Sequence, residues 1–247
     1  MLSVPVIKII LSLPSYLKRP MADQKDEPIV DVTETISKAE HYIEENKKSL
    51  SIIIGAVVVL VGGYFAWTKL YIAPLEEEAQ GQMFIAERYF EKDSLNKAIN
   101  GDGQFYGFKD IIEKYELTAS GNLAHMYLGL CYLNTGKFEE AVTELKEYDG
   151  DDLMLGPISI GAIGDAYCEL GKKDEAIDQY IKASEANKNN FTTPVYLMKA
   201  AGLYESQNKY AEAVKIYEQV KTDFPEAREG REVEKYISRA KAKGGIE

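Results

Sequence analysis

The sequence repeats itself three times in one register, and this self-similarity constrains the fold more than any other feature. The three segments begin at Tyr127, Ala162 and Lys199. They read YLGLCYLNTGKFEEAVTEL, AIGDAYCELGKKDEAIDQY and KAAGLYESQNKYAEAVKIY, at offsets of 35 and 37 residues. Repeats of this length each form one supersecondary unit, and neighbouring units stack to bury a shared apolar core.

Small and bulky side chains occupy matching positions in the three segments. A small residue lets the two helices of a hairpin cross closely, and a bulky residue fills the space beside the crossing. The pattern therefore predicts a pair of antiparallel helices in each segment. The small set is Gly129, Ala141, Gly164, Ala176, Ala201 and Ala213, and the bulky set is Tyr132, Leu145, Tyr167, Tyr180, Tyr204 and Tyr217.

The predicted turn inside each hairpin holds a residue that tolerates a positive φ angle. Gly136 and Gly171 adopt this conformation without steric cost. Asn208 occupies the corresponding place in the third segment, and asparagine also visits the left-handed region. The first helix of each hairpin is therefore expected to end at these residues.

These segments resemble tetratricopeptide repeats, whose period is 34 residues. The resemblance covers roughly residues 117–229, and Pro225 lies where this family usually has proline. It implies an all-α fold, a tetratricopeptide-repeat α-solenoid of about three to four helical hairpins within residues 74–242.

Both ends of the repeat region are predicted to carry additional helices. Leu75–Phe90 has apolar residues at helical spacing and predicts the first helix of a looser, earlier hairpin. Glu91–Phe105 departs from the repeat pattern and is expected to form a longer loop, with a turn at its GDG sequence. Glu226–Ala242 is charged and amphipathic, which predicts a capping helix over the last repeat.

An uncharged run of 18 residues, Leu50–Trp67, predicts a single transmembrane helix within residues 50–70. Such a run extends roughly 27 Å as a helix, close to the thickness of the hydrocarbon layer. Tyr64, Trp67 and Tyr71 are amphipathic aromatics of the kind that lies at a membrane interface. The alternative is a buried helix of a soluble protein.

The residues before this run predict a cytoplasmic tail at 21–49, with a short helix that begins near Thr33. Residues 1–20 are interpreted as an upstream extension, with translation starting at Met21; a short signal-like peptide is the alternative.

Two lysines precede the apolar run, Lys47 and Lys48, and one follows it. This asymmetry favours a cytoplasmic N-terminus and a periplasmic C-terminal domain.

The whole arrangement resembles the YfgM-like ancillary subunits of the SecYEG translocon. The shared features are a short tail, one membrane helix, an acidic PLEEEAQ helix start, about four repeats and a cap, over residues 30–240. The resemblance implies a periplasmic scaffold or holdase at the bacterial inner membrane, binding the translocon and exported proteins. An adaptor of another envelope assembly is the alternative, and a cytosolic regulatory subunit would require the opposite topology.

Composition and motifs argue against several other classes of function. A formal charge of −11 disfavours binding to nucleic acid. His41 and His125 are isolated from each other and from any metal-binding pattern, and nucleotide-binding and hydrolase motifs are missing from the sequence. Cys131 and Cys168 lie within predicted helices and are interpreted as small apolar residues. The sequence therefore predicts a protein that is not an enzyme and uses no cofactor, metal or small-molecule substrate.

The first helices of stacked hairpins line a groove, and their outward side chains choose the protein partner. Aligned positions in the three segments predict a largely apolar groove that contains methionine, a side chain that adapts to varied shapes. The alternative is that these residues pack against neighbouring helices. The predicted groove residues are Leu123, Met126, Leu130, Leu133, Ile158, Asp165, Val195, Met198 and Glu205, with Cys168 at a further aligned position.

Overall fold

The computed structural model describes residues 32–247, and every regular element in that range is helical. The proposed upstream extension and the first part of the tail lie outside the described residues. The helices are α1 Val32–Trp67, α2 Ala73–Glu91, α3 Leu95–Asn100, α4 Phe108–Tyr115, α5 Ala119–Asn134, α6 Phe138–Glu147, α7 Leu155–Glu169, α8 Lys173–Ala186, α9 Thr193–Ser206, α10 Tyr210–Asp223, α11 Arg228–Glu232 and α12 Glu234–Gly244. A π-helical segment, Thr68–Ile72, joins α1 to α2.

The chain divides into two compact units, 1–63 and 64–247. In the described part of the first unit, residues 51–63 of α1 are uncharged and expose their side chains; Ile52 is 65% and Leu60 72% exposed. One helical stretch among the described residues is long and apolar enough to cross a membrane, and none of its apolar window is buried. A buried helix of a soluble protein would instead have most of that window covered.

The second unit is a stack of helical hairpins, which confirms the predicted all-α fold. The three repeated segments form the pairs α5–α6, α7–α8 and α9–α10. Gly136, Gly171 and Asn208 have φ angles of 77°, 73° and 60° in the turns of these pairs, as predicted. An earlier pair consists of α2 and α4, with α3 between them.

The pairing of small and bulky residues is visible in the packing. A Cβ atom added at Gly129 would lie 2.5 Å from Cγ of Leu145, and one added at Gly164 would lie 2.6 Å from the ring of Tyr180. Glycine is therefore the residue that allows the two helices to approach this closely. The bulky partners Leu145 and Tyr180 are themselves buried.

Two elements differ from the sequence expectation. The predicted loop Glu91–Phe105 contains the short helix α3, because Ala98 and Ile99 are apolar and bury themselves in the core of the first hairpins. The predicted single capping helix is divided into α11 and α12 at Val233. Val233 is fully buried and joins Ile237 in the core shared with α9 and α10.

Candidate partner-binding groove

Residues of helices α5 to α9 and the turn at Gly136 line a surface depression of about 650 Å³, which we call the repeat groove. Leu133 and Phe138 form one side, and Asp165, Cys168 and Lys199 form the other. A second depression of about 380 Å³, the cap cleft, lies between α9, α10 and the cap helices α11 and α12. Lys199 lines both depressions, so they adjoin at this side chain.

A carboxylate on α7 organises the middle of the repeat groove. Asp165 accepts hydrogen bonds of 2.6 Å from the hydroxyl of Tyr180 on α8 and from the ammonium of Lys199 on α9. The Lys199 ammonium also lies 5.4 Å from the ring centre of Tyr180 and 5.8 Å from that of Tyr196. Lys199 is 40% exposed on its side chain, so it is fixed in position and still faces solvent.

The same construction recurs one repeat later, where the cap begins. Glu205 on α9 accepts hydrogen bonds from the hydroxyl of Tyr217 at 3.0 Å and from the Arg239 guanidinium at 2.8 and 3.2 Å. Arg239 follows Glu205 by 34 residues, and Lys199 follows Asp165 by the same number. The capping helix α12 therefore supplies the cation that the first helix of a further repeat would supply.

The two tyrosines in these clusters act as neutral hydrogen-bond donors. Burial, together with the hydrogen bond to Asp165, raises the pKa of Tyr180 far above its usual range. Burial and the hydrogen bond to Glu205 likewise raise the pKa of Tyr217. A phenol held in its neutral form is a structural donor here and not a base, so these clusters position the groove without supplying acid–base chemistry.

Six of the nine predicted groove residues are apolar and half-buried. Leu133, Val195 and Met198 are half-buried and line the repeat groove or the cap cleft. Leu123 lines a separate cleft between α2 and α5. Leu130 and Ile158 are half-buried, and Leu130 packs against the core.

Two predicted groove residues are not free to bind a partner. Met126 is 2% exposed and belongs to the core, which corrects its placement in the groove. Its helix, α5, is apolar on more than one face, so the sequence pattern does not fix which side faces outward. Glu205 exposes only 9% of its side chain and is held by Tyr217 and Arg239.

Several groove residues were not among the predicted ones. Lys199 is the first residue of the third repeated segment. The other two segments have Tyr127 and Ala162 at this position, so the alignment does not indicate a cation in the groove. Phe138 and Gly202 line the repeat groove and the cap cleft, respectively. The cap side chains Arg228, Glu229 and Arg239 also line the cap cleft, whereas the sequence predicts only that the cap covers apolar surface. For Arg239, its spacing of 34 residues from Glu205 was the available signal.

The described residues, 32–247, contain no group of three or more histidine, cysteine and acidic side chains placed to hold a metal ion. His125 is instead paired with Glu144 at 2.8 Å, a contact between the two helices of the first repeated hairpin. The repeat groove presents apolar side chains together with the cation Lys199 and the carboxylates Asp165 and Glu169.

We expect the two cysteines to differ sharply in reactivity. Burial raises the pKa of the fully buried Cys131 thiol to about 12, whereas Cys168 is half-buried in the repeat groove. At pH 8 a thiol with that pKa is thiolate in only about one molecule in ten thousand. Iodoacetamide should alkylate Cys168 of the folded protein and spare Cys131, as read by mass spectrometry. Urea-unfolded protein is the control, in which both must react; equal rates in the folded protein would contradict this burial.

Models of the tetratricopeptide repeat match residues 123–148, 159–190 and 196–227. The chain carries tetratricopeptide repeats. These stretches coincide with the hairpins α5–α6, α7–α8 and α9–α10. Tetratricopeptide repeats are typically non-catalytic modules that bind other proteins, so the repeats of this chain imply a scaffold for protein–protein interaction.

Solved structures of tetratricopeptide-like repeats share this fold. The chain is similar to a predicted kinesin light chain of Podosopora anserina with nearly identical TPR-like repeats, at 16% identity and a TM-score of 0.54. The match covers 69% of this chain and 88% of that one, and a point variant of the same protein matches with a TM-score of 0.53 and 17% identity. MamA protein matches at 20% identity with a TM-score of 0.47, over 68% of this chain and 93% of that chain. A comparison with curated proteins found no match.

Proposed function

We propose that this chain is a membrane-anchored tetratricopeptide scaffold or holdase of the bacterial inner membrane. Residues 50–70 form the anchor, and the repeat domain lies in the periplasm. It associates with the SecYEG translocon and binds exported proteins, or partner subunits, in the repeat groove and the cap cleft.

The observation that carries this proposal is the combination of an uncharged helix with an open, partly apolar groove in one chain. The Leu50–Trp67 part of α1 has no charged residue, and its side chains are exposed. The repeat groove offers Leu133 and Phe138, and the adjoining cap cleft offers Met198; Lys199 is the cation that lines both. Apolar side chains beside a few fixed polar groups suit short apolar segments of an unfolded chain better than a single charged terminus.

Crosslinking from α2 distinguishes the translocon from other envelope assemblies. A photo-crosslinking residue at the exposed position Glu77, in full-length protein in native membranes, is expected to form adducts with SecY or SecE that mass spectrometry identifies. Reproducible adducts with another envelope machine, without SecY or SecE, would show that the chain associates with that machine and not with the translocon. An alkaline phosphatase fused after Glu247 supplies the control for topology, because it is active only when the repeat domain is periplasmic.

A further inference from the structure

A large apolar side chain stands exposed just before the first helix of each hairpin. Tyr71, Leu117, Leu153 and Phe191 each directly precede the residue that caps α2, α5, α7 or α9. They are 55%, 58%, 56% and 73% exposed. An apolar residue at this position commonly packs onto its own helix. Here these side chains face solvent instead.

Hydrogen bonds between consecutive hairpins bring these four positions to one edge of the repeat stack. At the start of α5, Ser120 donates to Glu76 at the start of α2, from its backbone N–H at 3.0 Å and its hydroxyl at 2.8 Å. Further along the edge, Asn122 exchanges hydrogen bonds of 2.7 and 2.9 Å with the backbone of Asp149.

The last two hairpins continue the same row of contacts. The amide of Asn187 donates to the carbonyl of Asp152 at 3.0 Å, and that of Asn189 donates to the carbonyl of Leu153 at 3.1 Å. The loops that hold Leu117, Leu153 and Phe191 are thus tied to one another and to the start of α2. We call this row of exposed apolar residues the loop edge.

The opposite edge of the stack has a different composition. Its turns, at 135–137, 171–172 and 207–209, read TGK, GK and QNK and carry only polar residues and glycine. The cap also departs from the pattern, because Glu226 precedes the residue that caps α11. Within residues 64–247, the repeated exposed apolar position is therefore confined to the loop edge.

The chain itself indicates what covers this edge. Tyr71 belongs to the loop edge and also lies beside Trp67 and Leu70, exposed residues at the C-terminal end of the uncharged run and just after it. Such residues mark the level at which a helix leaves the hydrocarbon layer. The loop edge is thus continuous with residues that already have the chemistry of a membrane interface.

We propose that the loop edge rests in the headgroup–acyl boundary of the bilayer that holds the anchor, an inference that builds on the membrane anchoring proposed above. Leu117, Leu153 and Phe191 insert their side chains into this layer, as exposed apolar residues of interfacial segments do. Four exposed acidic residues lie in the same loops, against one exposed lysine, Lys188, so the edge favours zwitterionic over anionic lipid; the acidic residues are Glu116, Asp149, Asp151 and Asp152.

Fluorescence quenching in proteoliposomes tests this contact with the full-length chain. Trp67 is the single tryptophan, so Trp67→Phe combined with Phe191→Trp places one reporter on the loop edge. Trp67→Phe combined with Lys172→Trp places an exposed reporter on the opposite edge as the control. In brominated phosphatidylcholine, the reporter at position 191 should lose at least about twofold in intensity, and that at 172 should be unchanged. Replacing half of the lipid with equally brominated phosphatidylglycerol, which keeps the bromine density constant, should weaken the quenching at 191.

Quenching of the native Trp67 tests the membrane anchor independently of the lipid contact at the loop edge. Quenching of Trp67 without quenching at position 191 would overturn the lipid contact of the loop edge and leave the anchor intact. Equal quenching at 191 and 172 would also overturn it, because lipid contact would then not be specific to this edge. Absence of quenching at Trp67 would overturn both proposals together.

Discussion

Gly164→Ala is expected to lower the free energy of unfolding by about 2 kcal/mol, although alanine favours a helix over glycine by about 1 kcal/mol. The added Cβ would lie 2.6 Å from the Tyr180 ring and 3.3 Å from the carbonyl oxygen of Ala176. Both neighbours are buried, and the ring is held by its hydrogen bond to Asp165, so neither can move without breaking other contacts.

Gly202→Ala is the matched control for this effect. It lies in the corresponding helix of the next hairpin, α9, and a Cβ added there meets no atom within 4 Å. We expect a change between zero and about 1 kcal/mol of stabilisation. Urea unfolding followed by circular dichroism in detergent measures both variants. Equal shifts of the two midpoints would show that close helix crossing does not explain the glycine at 164.

Val233→Asp is expected to release the cap, because it places a carboxylate at a fully buried position between the two cap helices. Burying an unpaired charge costs about 4 kcal/mol or more. Val233 packs in one core with Leu197, Tyr217 and Val220, so these side chains of α9 and α10 would gain access to solvent.

Stacked repeats contact mainly their neighbours, so loss of the cap should spread from the C-terminal end. Hydrogen exchange should accelerate in α9 and α10 by at least about tenfold and change little in α5, where the cap makes no contact. Ser238→Asp adds the same charge at an exposed position of α12 and should leave exchange in α9 unchanged. Uniform acceleration throughout the repeats would instead indicate one cooperative unit.

The sequence was sufficient to predict the hairpins because each depends on contacts within one repeat. Gly164 faces Tyr180, which is only 16 residues away. The turn at Asn208 depends on the positive φ angle of that one residue. The repetition of small and bulky positions then identifies which helices pair. Fold class and turn positions therefore follow from short-range patterns that are present three times.

The groove was harder to predict because its side chains are fixed by contacts between repeats. Asp165 is paired with Lys199 and Glu205 with Arg239, 34 residues later in both cases. Helix α5 packs on several sides, so its apolar residues do not show which face of the helix points outward. For this reason the sequence places Met126 on the wrong face. The division of the cap at Val233 likewise depends on packing against α9 and α10, which local helix propensity does not encode.

The most direct measurement for the proposed binding surface is whether a single charge in the cap cleft weakens binding to unfolded exported proteins. Val195 lines the cap cleft in the first turn of α9, where an aspartate is tolerated because it faces the positive end of the helix. Ala211, exposed in the first turn of α10, offers a matched control outside the groove.

Suppression of aggregation by the full-length protein, in detergent or nanodiscs, can be followed by light scattering of a urea-unfolded exported protein. The groove hypothesis predicts that Val195→Asp raises the concentration needed for half-suppression at least about tenfold, a loss of about 1.4 kcal/mol of binding free energy. It predicts that Ala211→Asp behaves as the unmodified protein does. Full activity of folded Val195→Asp protein, or equal loss in both variants, would contradict binding in the cap cleft.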